Sequence, residues 1–492
     1  MAGRIRPRRI VVPEVTAAAT ETSAPAASFV PKARRLRRLL VVSNRLPDLR
    51  SPALPDERKR PVGGLVSALQ PVLAARDGLW FGWSGRSGPT RLFGMDDASH
   101  PALAWIDLPS ELVRDYYNGF CNRALWPLLH SFPSRMHFRD DEWTAYVAAN
   151  EAFADAVSQI VADDAPVWVH DFHLLLAGAA LRRRGHRGRI GLFLHVPFPS
   201  PDLLATLPWH ARVVSDMLRF DLVGFQTPGD LDHFRRAARA VAGCHQRGDV
   251  LIGDGVRART GAFPIGIIPE DIREDASAQT NEEIGALLRT TASTQLVVGV
   301  DRLDYTKGIP ERLCAVERLL DRSPEWRGKV SVVQVSVPSR AEVPEYAEER
   351  RRVEHVVGRI NGEFGEAHWT PVRYLYRSYR RSHLAQLYRA ADVGLVTPLR
   401  DGMNLVAKEF VAAQDPRCPG VLLLSRFAGA AVELRDALLT NPFHVDGLAA
   451  DLDRALRMDE DERRARHARL LEAVERTNAA TWADSFLRAL EG

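Results

Sequence analysis

The stretch that most restricts what this chain can become is Asp392 to Gln414, DVGLVTPLRDGMNLVAKEFVAAQ. Asp392 to Pro398 is a short apolar run rich in Val and Leu, as a parallel strand buried on both faces requires. Leu399 to Asn404 holds Gly402 and two charges, the composition of a tight loop, and from Leu405 the apolar residues fall at helical spacing. Strand, loop and helix in that order put the loop at the carboxyl end of a parallel sheet, where open α/β sheets bind ligands. Backbone N–H groups of Gly402, Met403, Asn404 and Leu405 would then face the ligand from a helix N-terminus, which favours an anion such as a diphosphate. Asp401 can only accept hydrogen bonds and so reads hydroxyl groups. Glu409, two turns into the helix, lies on the side its first turn presents to the ligand. A phosphate grip flanked by two carboxylates describes a pocket for a nucleotide sugar.

The same theme recurs. LLVVSNRLP is a buried strand ending near Arg45, and Gly63-Gly64 opens a helix beginning near Leu65. Two readings of Arg45 and Gly64 stand: an anion contact with a close backbone approach, or a surface arginine and a turn. APVWVHDFHLLL ends at Asp171 and His173, and GRIGLFLHVPFPS ends at His195, with a helical stretch from Leu174 to Arg184 between them. His170 and His173 straddle a strand end with no third ligand near in sequence, so a structural or substrate-contacting role is preferred to a metal. In FDLVGFQTPGDLDHF, Thr227 is an N-cap with Pro228 at the first helical position and Asp230 three residues after the cap. LVVGVDRLDYTKGIPERL is strand, loop and helix again, with Arg302 and Lys307 before the helix as a phosphate clamp. SVVQVSVPSR ends at Arg340. The polar stretch DIREDASAQTNEE marks a boundary between two sets of strands.

A chain of 492 residues is too long for one ordinary core. Two doubly wound parallel-sheet domains facing across a cleft are expected. They span 38–270 and 271–457, after a disordered basic tail over 1–37 and before closing helices over 458–492 that pack back on the first domain. A net charge of +4 is small for this length and does not call for nucleic acid. No apolar run reaches the length of a membrane span. Four scattered cysteines suit a reducing cytoplasm and argue against disulfides or a zinc site.

The motifs SNRLP, GGLVSAL, WFGWSG, YYNGFCNRALWPLLH, HDFHLLL, HVPFPS, GFQTPGD, DRLDYTKGIPERL and LRDGMNLVAKEF together resemble the trehalose-6-phosphate synthase family from about residue 39 to 485. The resemblance implies a GT-B fold of two Rossmann-like domains. It implies transfer of glucose from UDP-glucose or GDP-glucose to glucose 6-phosphate, giving α,α-trehalose 6-phosphate with retention and without a metal or other cofactor. It also implies a cytoplasmic homo-oligomer, a dimer or tetramer. Carried over by residue, Arg45, Tyr117, Trp126 and Arg340 resemble the acceptor phosphate and glucose contacts, and Asp171 an acceptor-sugar residue. Gly64 resembles a glycine near the donor phosphates, and His195 the histidine at the donor glucose. Arg302 and Lys307 resemble the diphosphate clamp, Asp401 the contact to donor hydroxyls and Glu409 the ribose contact. Ser378-Tyr379 falls where the nucleobase is contacted. Without this resemblance, Tyr117 and Trp126 read as core aromatics. Competing readings are a pseudo-glycosyltransferase joining cyclitols, a silent regulatory subunit, and a phosphorylase. The last would need a cofactor lysine, whereas Lys408 reads as a helix-face residue.

Overall fold

The computed structural model describes residues 36–46, 64–89, 93–96, 101–253, 255–340 and 342–492. The basic tail over 1–35 and Gly63 lie outside them. In chain order the strands of the first sheet are β1 (Leu40–Arg45), β2 (Leu79–Ser87), β3 (Phe93–Asp96), β4 (Ala102–Leu108), β5 (Val167–His170), β6 (Ile190–Phe193), β7 (Leu222–Phe225), β8 (His245–Arg247), β9 (Val250–Gly253) and β10 (Val256–Ala262). They lie in the order β3-β4-β2-β1-β5-β6-β7-β10-β9-β8. From β4 to β10 every pairing is parallel, and antiparallel strands close both edges. The second sheet holds β11 (Gln295–Arg302), β12 (Val330–Val337), β13 (Val372–Leu375), β14 (Val393–Val396), β15 (Val421–Ser425) and β16 (Leu438–Thr440), all parallel, in the order β13-β12-β11-β14-β15-β16. Central strands such as VWVH, IGLF and VGLV are buried along their whole length because helices cover both faces.

Strand order reverses direction between β11 and β14 in the second sheet and beside β1 and β5 in the first. Loops leaving neighbouring strands at such a point diverge to opposite faces and open a crevice. Arg45 and Asp171 stand at the first reversal; Lys307 and Asp401 follow the two strands of the second.

The polar stretch 271–283 is not a loose connector. Most of it lies in the helices Pro269–Ser277 and Glu282–Thr291. Arg381 donates to Asp275 at 2.6 Å and Asp271 at 2.8 Å, docking the first of these on the helix Arg381–Ala390. The expected N-cap is present, Thr227 Oγ1 accepting the Asp230 N–H at 3.2 Å. The expected helix from Leu174 begins later, at Ala177, after a 3-10 turn over Phe172–Leu174.

At the end of the chain, the helix Ala479–Glu491 returns to the first sheet. Phe486 stacks on Trp168 with centroids 4.7 Å apart, and Trp482 lies 5.2 Å from the same ring. Gly191 and Gly224 make that approach possible: a Cβ on either would stand 2.8 or 2.7 Å from the Phe486 ring. Among the described residues, no helix is long and apolar enough to cross a membrane.

Candidate active site

The loop after β11 is shaped by its own sequence. Asp304 accepts the N–H of Thr306 at 3.0 Å and starts the 3-10 turn Tyr305–Lys307. Gly308 follows at φ 63°, with Thr397 O where a Cβ would meet it at 2.5 Å, so only glycine allows this crossing. The helix Ile309–Arg322 then begins. From its first turn the fully buried Arg312 reaches Asp301 (2.6 Å), Thr397 (2.9 Å), Gln334 (3.0 Å) and the Lys307 carbonyl (3.3 Å). One guanidinium thus ties the loop after β11 to strand β12 and the end of β14.

Lys307 Nζ donates to Asp401 Oδ2 at 2.5 Å, and Asn404 Nδ2 donates to the same oxygen at 3.1 Å. Burial alone would raise the Asp401 carboxyl; the Lys307 ammonium outweighs it and holds the group below its ordinary value. Asn404 stands at φ 80° and caps the helix Leu405–Ala413 by accepting the Ala407 N–H at 3.4 Å. Among the described residues, the N–H groups of Gly402, Met403 and Asn404 have no protein acceptor. Three amides at a helix N-terminus beside a lysine form a cradle for an anion. Glu409, one turn on from Leu405, is pushed by burial up to about 7 while Arg381 draws it down.

Residues of the first sheet meet this loop directly. Gly402 lies against the His195 backbone so closely that a Cβ would stand 2.1 Å from the His195 carbonyl oxygen. The His195 N–H donates to Asp171 Oδ1 at 3.2 Å, and Asp171 itself adopts φ 74°. Burial raises the Asp171 carboxyl to about 6, against the pull of the Phe172 and His195 N–H groups. The His195 ring shares a 3.0 Å hydrogen bond with His170.

Trp126 carries two cations over its ring, Arg340 at 3.9 Å and Arg302 at 5.5 Å. Asp304 gathers the rest: it accepts from Arg340 (3.1 Å), the Tyr346 hydroxyl (3.1 Å) and the Trp126 indole N–H (3.4 Å). Arg340, at φ 46°, is also bonded to the Tyr346 hydroxyl. Beyond Trp126 an aromatic chain runs outward. Phe172 packs on Trp126 and His173, Tyr117 stacks on His173 at 5.8 Å, and Trp83 lies 6.1 Å from Tyr117. Arg45 ends the chain, 5.7 Å over Trp83. Among the described residues Arg45 and Arg302 are held over Trp83 and Trp126 without an ion pair to a carboxylate.

Of the residues singled out in the sequence, Arg302, Lys307, Arg340 and Asp401 come together with Trp126 and His195 across one cleft, and Arg45 and Tyr117 lie along its aromatic wall. Gly64 opens the helix Gly64–Ala75. Met403 is buried and its carbonyl accepts the Ala430 N–H, while Leu405 starts the helix. Tyr379 is turned to another helix, its hydroxyl donating to Glu283 at 3.0 Å. Lys408 is not a helix-face residue: it is fully buried and donates to Glu433 and to the Ile265 carbonyl, both at 2.8 Å. Asp304, Tyr346 and Arg312 belong to the site without being among the residues the sequence points to, and His170, expected as a structural or substrate-contacting histidine, belongs to it through His195. Asp304 sat inside DRLDYTKG, and two acids flanking an arginine at a strand end were a usable signal; Tyr346 carried none.

The sequence profile of glycosyltransferase family 20 matches residues 37–492. The chain is 41% identical over 461 residues to the trehalose-6-phosphate synthase of Cronobacter sakazakii, covering 93% of this chain and 95% of that one. The solved trehalose-phosphate synthase of Burkholderia xenovorans, a complex with glucose-6-phosphate, superposes with a TM-score of 0.87 at 41% identity, over 92% of this chain and 100% of that one. The Escherichia coli structure bound with UDP-2-fluoro glucose also gives 0.87, at 40% identity over 92% and 99%. Two facing parallel-sheet domains with a charged cleft at their strand reversals, and likeness over nearly the whole length, lead to one conclusion: the chain belongs to glycosyltransferase family 20, among the GT-B enzymes that are trehalose-6-phosphate synthases.

Proposed function

We propose that this chain transfers glucose from UDP-glucose to glucose 6-phosphate, forming α,α-trehalose 6-phosphate with retention at the donor carbon. The acceptor half is read as 38–270 with the helix Ala479–Glu491 docked on it, and the donor half as 271–457, against which the preceding helix Glu460–Arg476 packs through His467 and Arg466 rather than on the first domain. The observation that carries the reading is the convergence of two cationic grips on one cleft. Lys307, Arg302 and the amides of Gly402 to Asn404 form one; Arg340, which shares the Trp126 ring with Arg302, stands in the other. The choice of UDP rests on the UDP-forming relatives and on the Escherichia coli complex.

The chemistry follows from the groups present. Glycosidases of either outcome use paired carboxylates at the scissile bond. Here Asp401 is held by Lys307 and Asn404, and Asp171 by the His195 N–H, so neither is placed as a nucleophile. Attack on the face from which the diphosphate departs needs no such group. The acceptor's anomeric oxygen bonds to the donor's anomeric carbon as the bond from that carbon to the phosphate oxygen breaks. The acceptor proton passes to a leaving phosphate oxygen. Lys307, Arg302 and the loop amides stabilise the charge that develops there. Donor binding would exchange partners: diphosphate takes Lys307 while sugar hydroxyls take Asp401.

Purified protein mixed with glucose 6-phosphate and either UDP-glucose or GDP-glucose tests this by nucleoside diphosphate release, with proton NMR reading the anomeric linkage. UDP release and an α,α product are expected. Lys307→Ala should lower kcat by about 100-fold, the scale of losing one preorganised charge-stabilising donor, with KM for glucose 6-phosphate changed less than about two-fold. Wild-type kcat in Lys307→Ala would remove Lys307 from the leaving-group role.

A further inference from the structure

His170 and His195 come from the ends of adjacent parallel strands β5 and β6. Their rings lie 5.3 Å apart at 25°, with His170 Nδ1 and His195 Nε2 3.0 Å from each other. Burial drives both imidazoles towards the neutral form, His195 to about 3. Two neutral rings joined nitrogen to nitrogen hold one proton between them, and its owner sets both tautomers. The other nitrogen of His170, Nε2, is buried with no partner. Its ring neighbours on the last helix and on β5 are Trp482 and Trp168, with centroids 6.2 and 4.6 Å away. Their indole nitrogens can only donate, and both are buried without a partner. A proton on His170 Nε2 would therefore add a third orphaned donor beside two others. A bare lone pair there costs less, since orphaned buried donors are rarer than under-satisfied acceptors. His195 Nδ1 differs: it has no protein partner among the described residues, yet it is not sealed from solvent.

We propose that His170 is a positioning residue that donates its Nδ1–H to His195 Nε2 and so fixes His195 as the Nδ1–H tautomer, a hydrogen-bond donor for a donor-sugar hydroxyl. The proposal deepens the reaction proposed above and rests on it only for the identity of that sugar. His195 is thereby a fixed donor and does not act as a general base.

Histidine-labelled, ligand-free protein tests the tautomer directly by long-range proton–nitrogen NMR, with His195 assigned from the spectrum of His195→Gln. The expected result is a protonated Nδ1 and a bare Nε2 on His195. In His170→Phe nothing donates to His195 Nε2, so the ring should no longer be held in one tautomer and should show an Nε2–H population absent from wild type, and kcat should fall about 10–100-fold, as when the partner that fixes an imidazole is lost. KM for glucose 6-phosphate should stay within about two-fold. His170→Asn places an amide N–H near the former Nδ1 and should restore both tautomer and kcat; His170→Gln reaches the Nε2 position and should not. A wild-type His195 that carries its proton on Nε2 overturns the proposal whatever the activity. So does His170→Phe with unchanged tautomer and kcat, or His170→Asn falling as far as His170→Phe. The NMR result decides even if the transferase assay fails, so the two readings fail separately.

Discussion

Glu409 is a carboxylate held where its neutral form is favoured. Burial lifts it from an ordinary 4.5 to about 7, so between those values the folded chain keeps a proton that the unfolded chain releases. The stability this provides is complete below the unfolded value and is lost as pH rises through about 7. Glu409→Gln, which cannot ionise, should therefore melt close to wild type at pH 5 and above it at pH 8. Its KM for the nucleotide sugar should rise at pH 8, where the carboxylate accepts from a ribose hydroxyl, and rise less at pH 5, where Glu409 is already protonated. Melting curves at the two pH values check the first part; an equal offset at both would show that Glu409 is not destabilised by burial. Asp171, raised to about 6 by the same cause, moves stability in the same direction over a lower window. A buried acid that weakens the fold at working pH is the pattern expected where a site needs a charge for its ligand.

At the scale of elements, the loop between β14 and its helix depends on one side chain with three roles. Asn404 tolerates φ 80°, caps the helix through Ala407, and donates to Asp401. Asn404→Ala loses the cap and leaves a Cβ in left-handed backbone, together about 2 kcal/mol. Asn404→Gly relieves the backbone and costs only a few tenths of a kcal/mol. Melting temperatures should fall for Asn404→Ala and stay near wild type for Asn404→Gly, while both lose activity because Asp401 is no longer held from two sides. An active Asn404→Gly enzyme would show that the hold on Asp401 is dispensable. This element was legible in the sequence because buried parallel strands read as unbroken apolar runs and the loop follows at once. The side chains that brace it were not. Arg312 joins Asp301 and Gln334 on two strands to Thr397 just past a third, and no local spacing records that convergence. Lys408 looked like a surface lysine because its partners, Ile265 and Glu433, are 143 and 25 residues away. His170 was seen, but its partner His195 lies one strand over and 25 residues on.

For the whole molecule, the decisive fact is that the chain leaves the first domain, builds the second, and returns. The helix Ala479–Glu491 sets Phe486 into a shelf made by Gly191 and Gly224, and its Trp482 ring lies 6.0 Å from His195 and 6.2 Å from His170. The end of the chain therefore packs against the histidine pair at the cleft, and the stability of the first domain depends on residues added after the second. Phe486→Ala should remove roughly 3–5 kcal/mol of core packing, the usual cost of truncating a buried phenylalanine. That loss falls on the first sheet. Thermal unfolding of the variant should split, with an early transition for the first domain and a later one near the wild-type midpoint for the second, which keeps its own core of Val297, Leu313, Val332 and Leu395. Activity should decline below the first transition, because Trp168 and Phe193, on which Phe486 and Trp482 both pack, lose one of those two rings and the wall of the histidine pair loosens. Calorimetry with parallel assays checks this. One cooperative transition, merely shifted, would mean that the two sheets unfold as a unit and that the returning helix stabilises both.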